Sequence, residues 1–438
     1  MKRLRVRLTA GLLAAVALAA GGCSDYSEAR EKRTLVVLGP WTNGEEEPFQ
    51  EALDGIEERT GDEYHYEGTS SLRETLVAQL EADAPPDLAI LNSVGELAEY
   101  ARAGEAEWLR DDVVDAAGPP WAPHITLRDD EGEPRTRAYW VPVRVDLKSI
   151  VWSRKADAGE KPDWCLGMGA DATSGWPGTD WLEDLLLQRR GMADYERWAT
   201  GRMDWKDTRR VWEEWADQIV RANGENRGAE ALRTGYEQRF SNGRHGLLNS
   251  GRCTHEHQGS FIRRHYGDDV LPTPTTAYLG TGKPTAENAF EVSGDMAAVF
   301  KKSDAAWDLL RELTSSAARK AWATKAAERA KSAKDGESRD HPYFPGGTVS
   351  AQPSPGTREV QRLLNDAGQI CLDASDAMPP TLRDAFYRSV LEFLGDPQND
   401  GLLTQLLTQL EAERQLQKRE NAFVLGDLCD PPSTAEDP

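Results

Sequence analysis

TLVVLGPWTNGEEEPFQEALDGIEERTGDEYHYEGTSSLRETLVAQLEADAPPDLAILNSVGELAEYARA, residues 34–103, decides the fold. Thr34 to Leu38 is a short apolar run that predicts a strand, and Gly39-Pro40-Trp41-Thr42-Asn43-Gly44 is the loop at its carboxyl end. Glu45 to Thr60 then carries Phe49, Leu53 and Ile56 at helical spacing and stops at Gly61. Tyr64 to Glu67 suits a second strand and Ser71 to Ala82 a second helix. Leu88 to Leu91, behind Pro85-Pro86-Asp87, makes a third strand, and Val94 to Ala103 a third helix. Strand–helix repeats of this length imply an α/β fold whose parallel sheet is covered on both faces. Ligands of such sheets bind off the carboxyl ends of the strands. Trp41, Thr69-Ser70-Ser71 and Asn92-Ser93 all fall there, although Ser70 or Ser71 would serve equally as a helix cap and Asn92 as a turn residue.

Upstream, Lys2, Arg3, Arg5 and Arg7 form a basic region, and Leu8 to Ala20 an apolar run too short to span a bilayer. The run ends in Ala20-Gly21-Gly22-Cys23, small residues before a cysteine that resemble a bacterial lipobox. Residues 1–22 are therefore expected to be a signal peptide, Cys23 the lipidated first residue, and the polar stretch to Arg33 a tether. The alternative is an ordinary secretory signal whose cysteine later joins a disulfide. Either way the protein is expected on the extracytoplasmic side of the membrane.

The whole chain of 438 residues is long enough for two domains, each with its own core. Its net charge of −22 repels phosphate backbones, which excludes nucleic acid as a partner. The same charge gives no electrostatic help toward an anionic ligand. Export makes disulfides permissible, and Cys165, Cys253, Cys371 and Cys429 remain as an even set. They allow three connectivities. Cys165–Cys253 with Cys371–Cys429 is preferred because it keeps each bridge local. Cys253-Thr254-His255-Glu256-His257 also reads as three metal ligands, but zinc sites favour wider spacing, and no metal or cofactor is expected.

Downstream, Arg128 to Arg137 is a charged loop, and Ala138 through Trp152 reads as two short strands. In Ser174 to Leu187, Trp176-Pro177-Gly178 predicts a tight turn. Asp180 would then cap a helix, with Glu183 completing a capping box. Trp181, Leu182, Leu185 and Leu186 share one face of that helix and Gly191 ends it. Trp176 is left over, a large flat ring in a loop beside a carboxylate. That is equipment for gripping a sugar, with the ring on its C–H face and Asp180 on its hydroxyls. Trp212 and Trp215, by contrast, repeat at helical spacing and read as core. Leu271-Pro272-Thr273-Pro274 reads as an exposed linker, and Phe290 to Phe300 as strand, small-residue bend and strand. Ala317 to Lys334 reads as a solvated helix. Asp335 to Gly356 is a candidate crossing between lobes, and two helices follow at Leu382 to Leu394 and Leu402 to Gln415.

Seven strings in order resemble the extracellular solute-binding proteins of carbohydrate ABC transporters, in the α-glucoside branch. They are Trp41 after the first strand; Tyr139-Trp140-Val141-Pro142-Val143 with Asp146; Trp152; Gly175 through Glu183; Cys253 through Ser260-Phe261; Ser293-Gly294-Asp295-Met296; and Asp373 through Pro379. The resemblance runs from about Leu35 to Leu410. It implies a two-lobe periplasmic-binding-protein-like (type II) fold, each lobe a sheet flanked by helices, with hinge crossings near Val141 to Asp146, near Phe290 and in the Asp335 to Gly356 loop. The implied division is an N-lobe of 34–143 and 290–345, a C-lobe of 144–289 and 346–428, and a disordered tail of 429–438. It implies capture of a mono- or oligosaccharide by closure of the lobes, delivery to a permease, a monomeric state and no catalysis. Carried over by motif position, Trp41 and Trp176 would stack on the sugar, and Asn92, Arg144, Asp180 and Asp295 would reach its hydroxyls. Arg144 has a structural alternative in pairing with Asp146 or Glu291, and Asp295 in holding the bend. The rival readings are a sugar-active enzyme and an adhesion or sensing lipoprotein. Against the enzyme, Asp180 and Glu183 lie on one helix face, whereas glycoside hydrolysis sets its carboxylates on opposite sides of the bond.

Overall fold

The computed structural model describes residues 32–429, apart from 43, 115–116, 118–119, 130, 222–225, 280–288, 334–340, 346 and 348–352. The expected signal peptide, Cys23, most of the tether, nearly all of the tail and much of the 335–356 crossing lie outside the described residues.

The opening alternation folds as read, each boundary within a residue or two: β1 (Thr34–Gly39), α1 (Glu47–Thr60), β2 (Glu63–Gly68), α2 (Leu72–Glu81), β3 (Leu88–Leu91) and α3 (Val94–Ala103). Local chemistry sets these limits. Gly61 closes α1 at φ 75°, a left-handed angle that costs glycine little. At the start of α3 the Ser93 hydroxyl accepts from the Glu96 amide. Next come the short α4 (Asp111–Val114), a surface hairpin of β4 (Ile125–Arg128) and β5 (Pro134–Arg137), then β6 (Trp140–Leu147) and β7 (Ile150–Arg154). A helix-rich stretch holds α5 (Trp176–Arg190), α6 (Met192–Ala199), α7 (Arg209–Trp215) and α8 (Gly228–Ala231). It is followed by β8 (His255–His257), β9 (Val270–Pro274), β10 (Ala289–Val299), α9 (Asp304–Leu313) and α10 (Ser316–Ser332). The chain finishes with α11 (Pro355–Asp366), β11 (Gln369–Leu372), α12 (Ala374–Ala377), α13 (Pro380–Gly395) and α14 (Asp400–Arg419).

The principal sheet runs β11-β10-β3-β1-β2, and β6 lies along the other edge of β10. β1 is parallel to β2 and β3. β10 changes neighbours halfway. Its first residues, Ala289 to Val292, run parallel to β11, and its last, Met296 to Val299, run antiparallel to β3. β6 follows it antiparallel along nearly its whole length, with a bulge between Asp295 and Met296. A second sheet, β8-β7-β9, continues from β6 into the helix-rich part. This is a type II, two-lobe α/β fold in which β6 and β10 pair along nearly their whole length.

Two apolar clusters flank this frame. One gathers Phe49, Leu53 and Ile56 of α1 with Trp307, Leu310, Trp322 and the inner faces of β1 and β3. The other extends from the opposite face of the sheet into the helices, through Trp152, Trp181, Trp198, Trp205, Trp212 and Trp215. Trp212 and Trp215 are core, as their spacing predicts. Disulfides join Cys165 to Cys253 and Cys371 to Cys429, the preferred connectivity.

Four expectations need correction. α5 begins at Trp176 rather than after a turn at 176–178, because Pro177 is tolerated in a helix's first turn and Gly175 supplies the bend at φ 108°. Asp180 is thus inside the helix and caps nothing. Leu271 to Pro274 is strand β9 rather than an exposed linker, since an edge strand has no use for the amides that Pro272 and Pro274 lack. Phe290 to Phe300 is not two strands about a bend, because the bulge absorbs the irregularity within one continuous β10. α10 is not simply solvated: Ala318, Trp322, Ala323 and Ala326 are buried, and Trp322 packs on Phe49 of α1. Among the described residues no helix is long and apolar enough to cross a membrane.

Candidate ligand-binding site

Arg144 on β6 and Asp295 on β10 are direct cross-strand partners at the bulge. Arg144 Nε donates to Asp295 Oδ2 at 2.7 Å, and both side chains keep about a tenth of their surface accessible. The guanidinium lies 5.0 Å from the centre of the Trp41 ring. Trp41 is itself locked in place. Its amide donates to the Tyr66 hydroxyl at 2.8 Å, and that hydroxyl donates back to the Trp41 carbonyl at 3.1 Å. Gly68 makes the approach possible, because a Cβ there would lie 2.2 Å from the Trp41 carbonyl oxygen. Trp41 is not the open plate expected of it: 2% exposed, its ring packs against Phe49, Tyr66 and Trp322. Two residues from α1 and α10 close around it, and no periodicity within its own loop announces them.

A second group lies just beyond the end of β6. Trp176, the first residue of α5, is half-buried, with Tyr236 at 4.8 Å and Phe261 at 5.8 Å, both edge-on. Lys148 places its ammonium 5.0 Å from the Trp176 ring centre and 5.9 Å from that of Phe261. The same ammonium donates to Asp180 Oδ2 at 2.7 Å and pairs with Asp373 Oδ2 at 3.2 Å. Burial pushes Asp180 up, to about 6, against the pull of Lys148. Burial works against the lysine's charge, but Asp180 and Asp373 hold it charged, well above its ordinary range.

The structure thus brings the expected residues together as two sets, Trp41–Arg144–Asp295 and Trp176–Asp180. β6 bridges them, with Arg144 within it and Lys148 just past its end. Asn92 belongs to neither. It is exposed at the carboxyl end of β3, next to Ser93, whose hydroxyl donates to the Asp376 carbonyl at 3.0 Å.

Sequence reading missed Lys148, Tyr236, Phe261 and Asp373 as partners. Lys148 carried a usable signal, a lone cation between Val145-Asp146-Leu147 and Ile150-Val151-Trp152, where burial without an acid would be costly. Glu183, expected in a capping box, instead accepts from the amides of Ala374 at 2.8 Å and Ser375 at 3.1 Å, at the start of α12. The would-be metal ligands near Cys253 have other work. Cys253 is in its disulfide, Glu256 accepts from the Tyr266 hydroxyl, and His257 stacks on Trp181 while meeting Asp184 at 3.0 Å.

Two α/β lobes joined by paired crossing strands, with aromatic and charged groups where those strands meet them, define a clamp-type solute receptor. Residues 42–320 match the family of bacterial extracellular solute-binding proteins, and the chain belongs to that family. It is 26% identical over 408 residues to the alpha-glucosides-binding periplasmic protein AglE of Rhizobium meliloti (strain 1021), covering 83% of this chain and 84% of that one. It is also 26% identical to the osmoprotective compounds-binding protein GgtB of Synechocystis sp., over 87% of this chain and 92% of GgtB. Among solved structures, the bacterial solute receptor AcbH superposes with a TM-score of 0.63 at 14% identity, over 88% of this chain and 99% of AcbH.

Proposed function

We propose that this protein captures a mono- or oligosaccharide between its lobes and delivers it to the permease of an ABC importer, held at the extracytoplasmic membrane face by lipid on Cys23. The observation that carries the reading is the half-buried Trp176 ring, edged by Tyr236 and Phe261, with Lys148 and Asp180 directly beside it. With Lys148 over one face, the Trp176 ring has its other face to offer the C–H side of a pyranose, and the buried Lys148–Asp180 pair fixes its position. Arg144, Asp295 and Asn92 supply the other contacts, and Trp41 backs Arg144. The names of AglE, an α-glucoside binder, and AcbH, with a preference for galactopyranose, support a neutral sugar as the ligand class.

The lobes proposed are residues 34–143 with 290–345, and 144–289 with 346–428. A ligand touching both is bound more tightly by the closed form and shifts the population toward it. Moving that balance from 1:99 to 99:1 takes about 5.5 kcal/mol of differential binding. The protein does no chemistry on its ligand.

A thermal-shift screen of purified protein against mono- and oligosaccharides tests the reading, since a ligand of the native form alone raises the melting point. At least one neutral sugar should do so. Trp176→Ala should abolish the shift and leave the unliganded melting point within a few degrees. No shift from any sugar, or turnover of a glycoside, would overturn the proposal.

A further inference from the structure

Glu291 is on the first half of β10, fully buried, and neither of its carboxylate oxygens has a hydrogen-bond partner. A buried carboxylate left this way costs several kcal/mol unless something else meets it. Protonation alone does not remove the difficulty, because a buried O–H also needs an acceptor. What Glu291 does face is other acid: an oxygen of Glu291, one of Asp180 and one of Asp373 all lie within 4.8 Å of one another. All three residues are at most 2% exposed. The Lys148 ammonium serves Asp180 and Asp373 but makes no bond to Glu291. One ammonium among these three carboxylates, with the Glu183 carboxylate also acting on Glu291, leaves a deficit of positive charge that a divalent cation would reduce.

We propose that Asp180, Glu291 and Asp373 bind a hard divalent cation, calcium by its coordination chemistry. The three oxygens, all within 4.8 Å of one another, can share one ion, and calcium's flexible shell suits this buried site, whereas magnesium demands a near-ideal octahedron and gives up its waters reluctantly. Backbone carbonyls or water would complete the shell. The ligands come from three separate elements: the crossing strand β10, helix α5, and the residue before α12. Bound calcium would tie β10 to the helical lobe and fix Asp180, and through it Lys148, beside Trp176. The site does not depend on the sugar reading, and its tests need no sugar.

Full-length protein stripped with a chelator and dialysed is titrated with calcium chloride and, separately, magnesium chloride, by calorimetry and by melting point. Expected are one saturable calcium per chain, a higher melting point at saturation, and at least ten-fold weaker binding of magnesium. Terbium(III), excited through the neighbouring tryptophans, should emit on binding and be displaced by calcium. Glu291→Gln keeps the shape but removes the charge, and should lower calcium affinity at least ten-fold. The terbium readout on the unmodified protein keeps the test valid should that variant fail to fold. Absence of stoichiometric calcium binding and of terbium emission would overturn the proposal and leave protons as the neutralising charge. Calcium binding that Glu291→Gln does not weaken would place the ion elsewhere and overturn it equally.

Discussion

Single residues in this protein are held by partners far away in the chain, and Glu256 shows the consequence. It is buried in β8, accepts from the Tyr266 hydroxyl, and burial pushes its carboxyl from near 4.5 up to about 8. The folded state therefore keeps a proton that the unfolded state gives up. Its contribution to stability is complete below about pH 4.5 and is lost as pH rises through about 8. Glu256→Gln imitates the neutral form and should flatten that decline. Urea midpoints at pH 5 and pH 8 test this, with the variant gaining on the parent protein by roughly 2–4 kcal/mol between the two. Parallel curves would show that Glu256 does not titrate in this window. None of this is visible in the string Cys253-Thr254-His255-Glu256-His257, where only the cysteine's disulfide is expected. His257 meets Asp184, 73 positions away in the sequence, and such pairings carry no local signature.

At the scale of elements, what was legible followed period and punctuation. β1 to α3 declare themselves through apolar alternation closed by Gly61 and Gly104, and the structure reproduces them almost residue for residue. The start of α5 was misread for an equally local reason. Trp-Pro-Gly satisfies a turn and a helix's first turn alike, and the arbiter is packing against α13. Gly175 is where that packing shows: at φ 108°, a Cβ would fall 2.5 Å from the Tyr387 carbonyl oxygen. Gly175→Ala should cost about 2 kcal/mol or more, from both the left-handed angle and the clash, measured as a drop in urea midpoint. A change under about half a kcal/mol would mean that α13 yields easily at this point. The Pro-containing β9 was illegible because the edge position that excuses its prolines is set by β7, more than a hundred residues earlier.

The whole molecule is read best through contacts between the proposed lobes. Arg264, in the helical lobe, pairs with Glu45 in the loop after β1 and with Glu237 on its own side. Removing the Glu45 charge takes away an attraction that spans the proposed lobes and leaves the Arg264–Glu237 pair in place. Glu45→Gln should weaken sugar binding two- to five-fold, roughly 0.5–1 kcal/mol, with the loss appearing in faster release. Stopped-flow displacement measures it, and an unchanged release rate would show that closure does not depend on this pair. The class of fold could be read from residues 34–103, and the family from its seven strings. The partners of Asp180 could not, because Lys148, Glu291 and Asp373 are scattered over the chain and meet it only where β6, β10 and the start of α12 come together.

β10 has one further consequence. Among the described residues β6 has no strand beside it in the sheet other than β10, so its register waits on residues 289–299. During synthesis about two thirds of the polypeptide must therefore emerge before the principal sheet can close. Pairing that must wait for a late strand keeps the earlier chain threadable, the condition under which a protein can be passed through a translocation pore and fold on the far side.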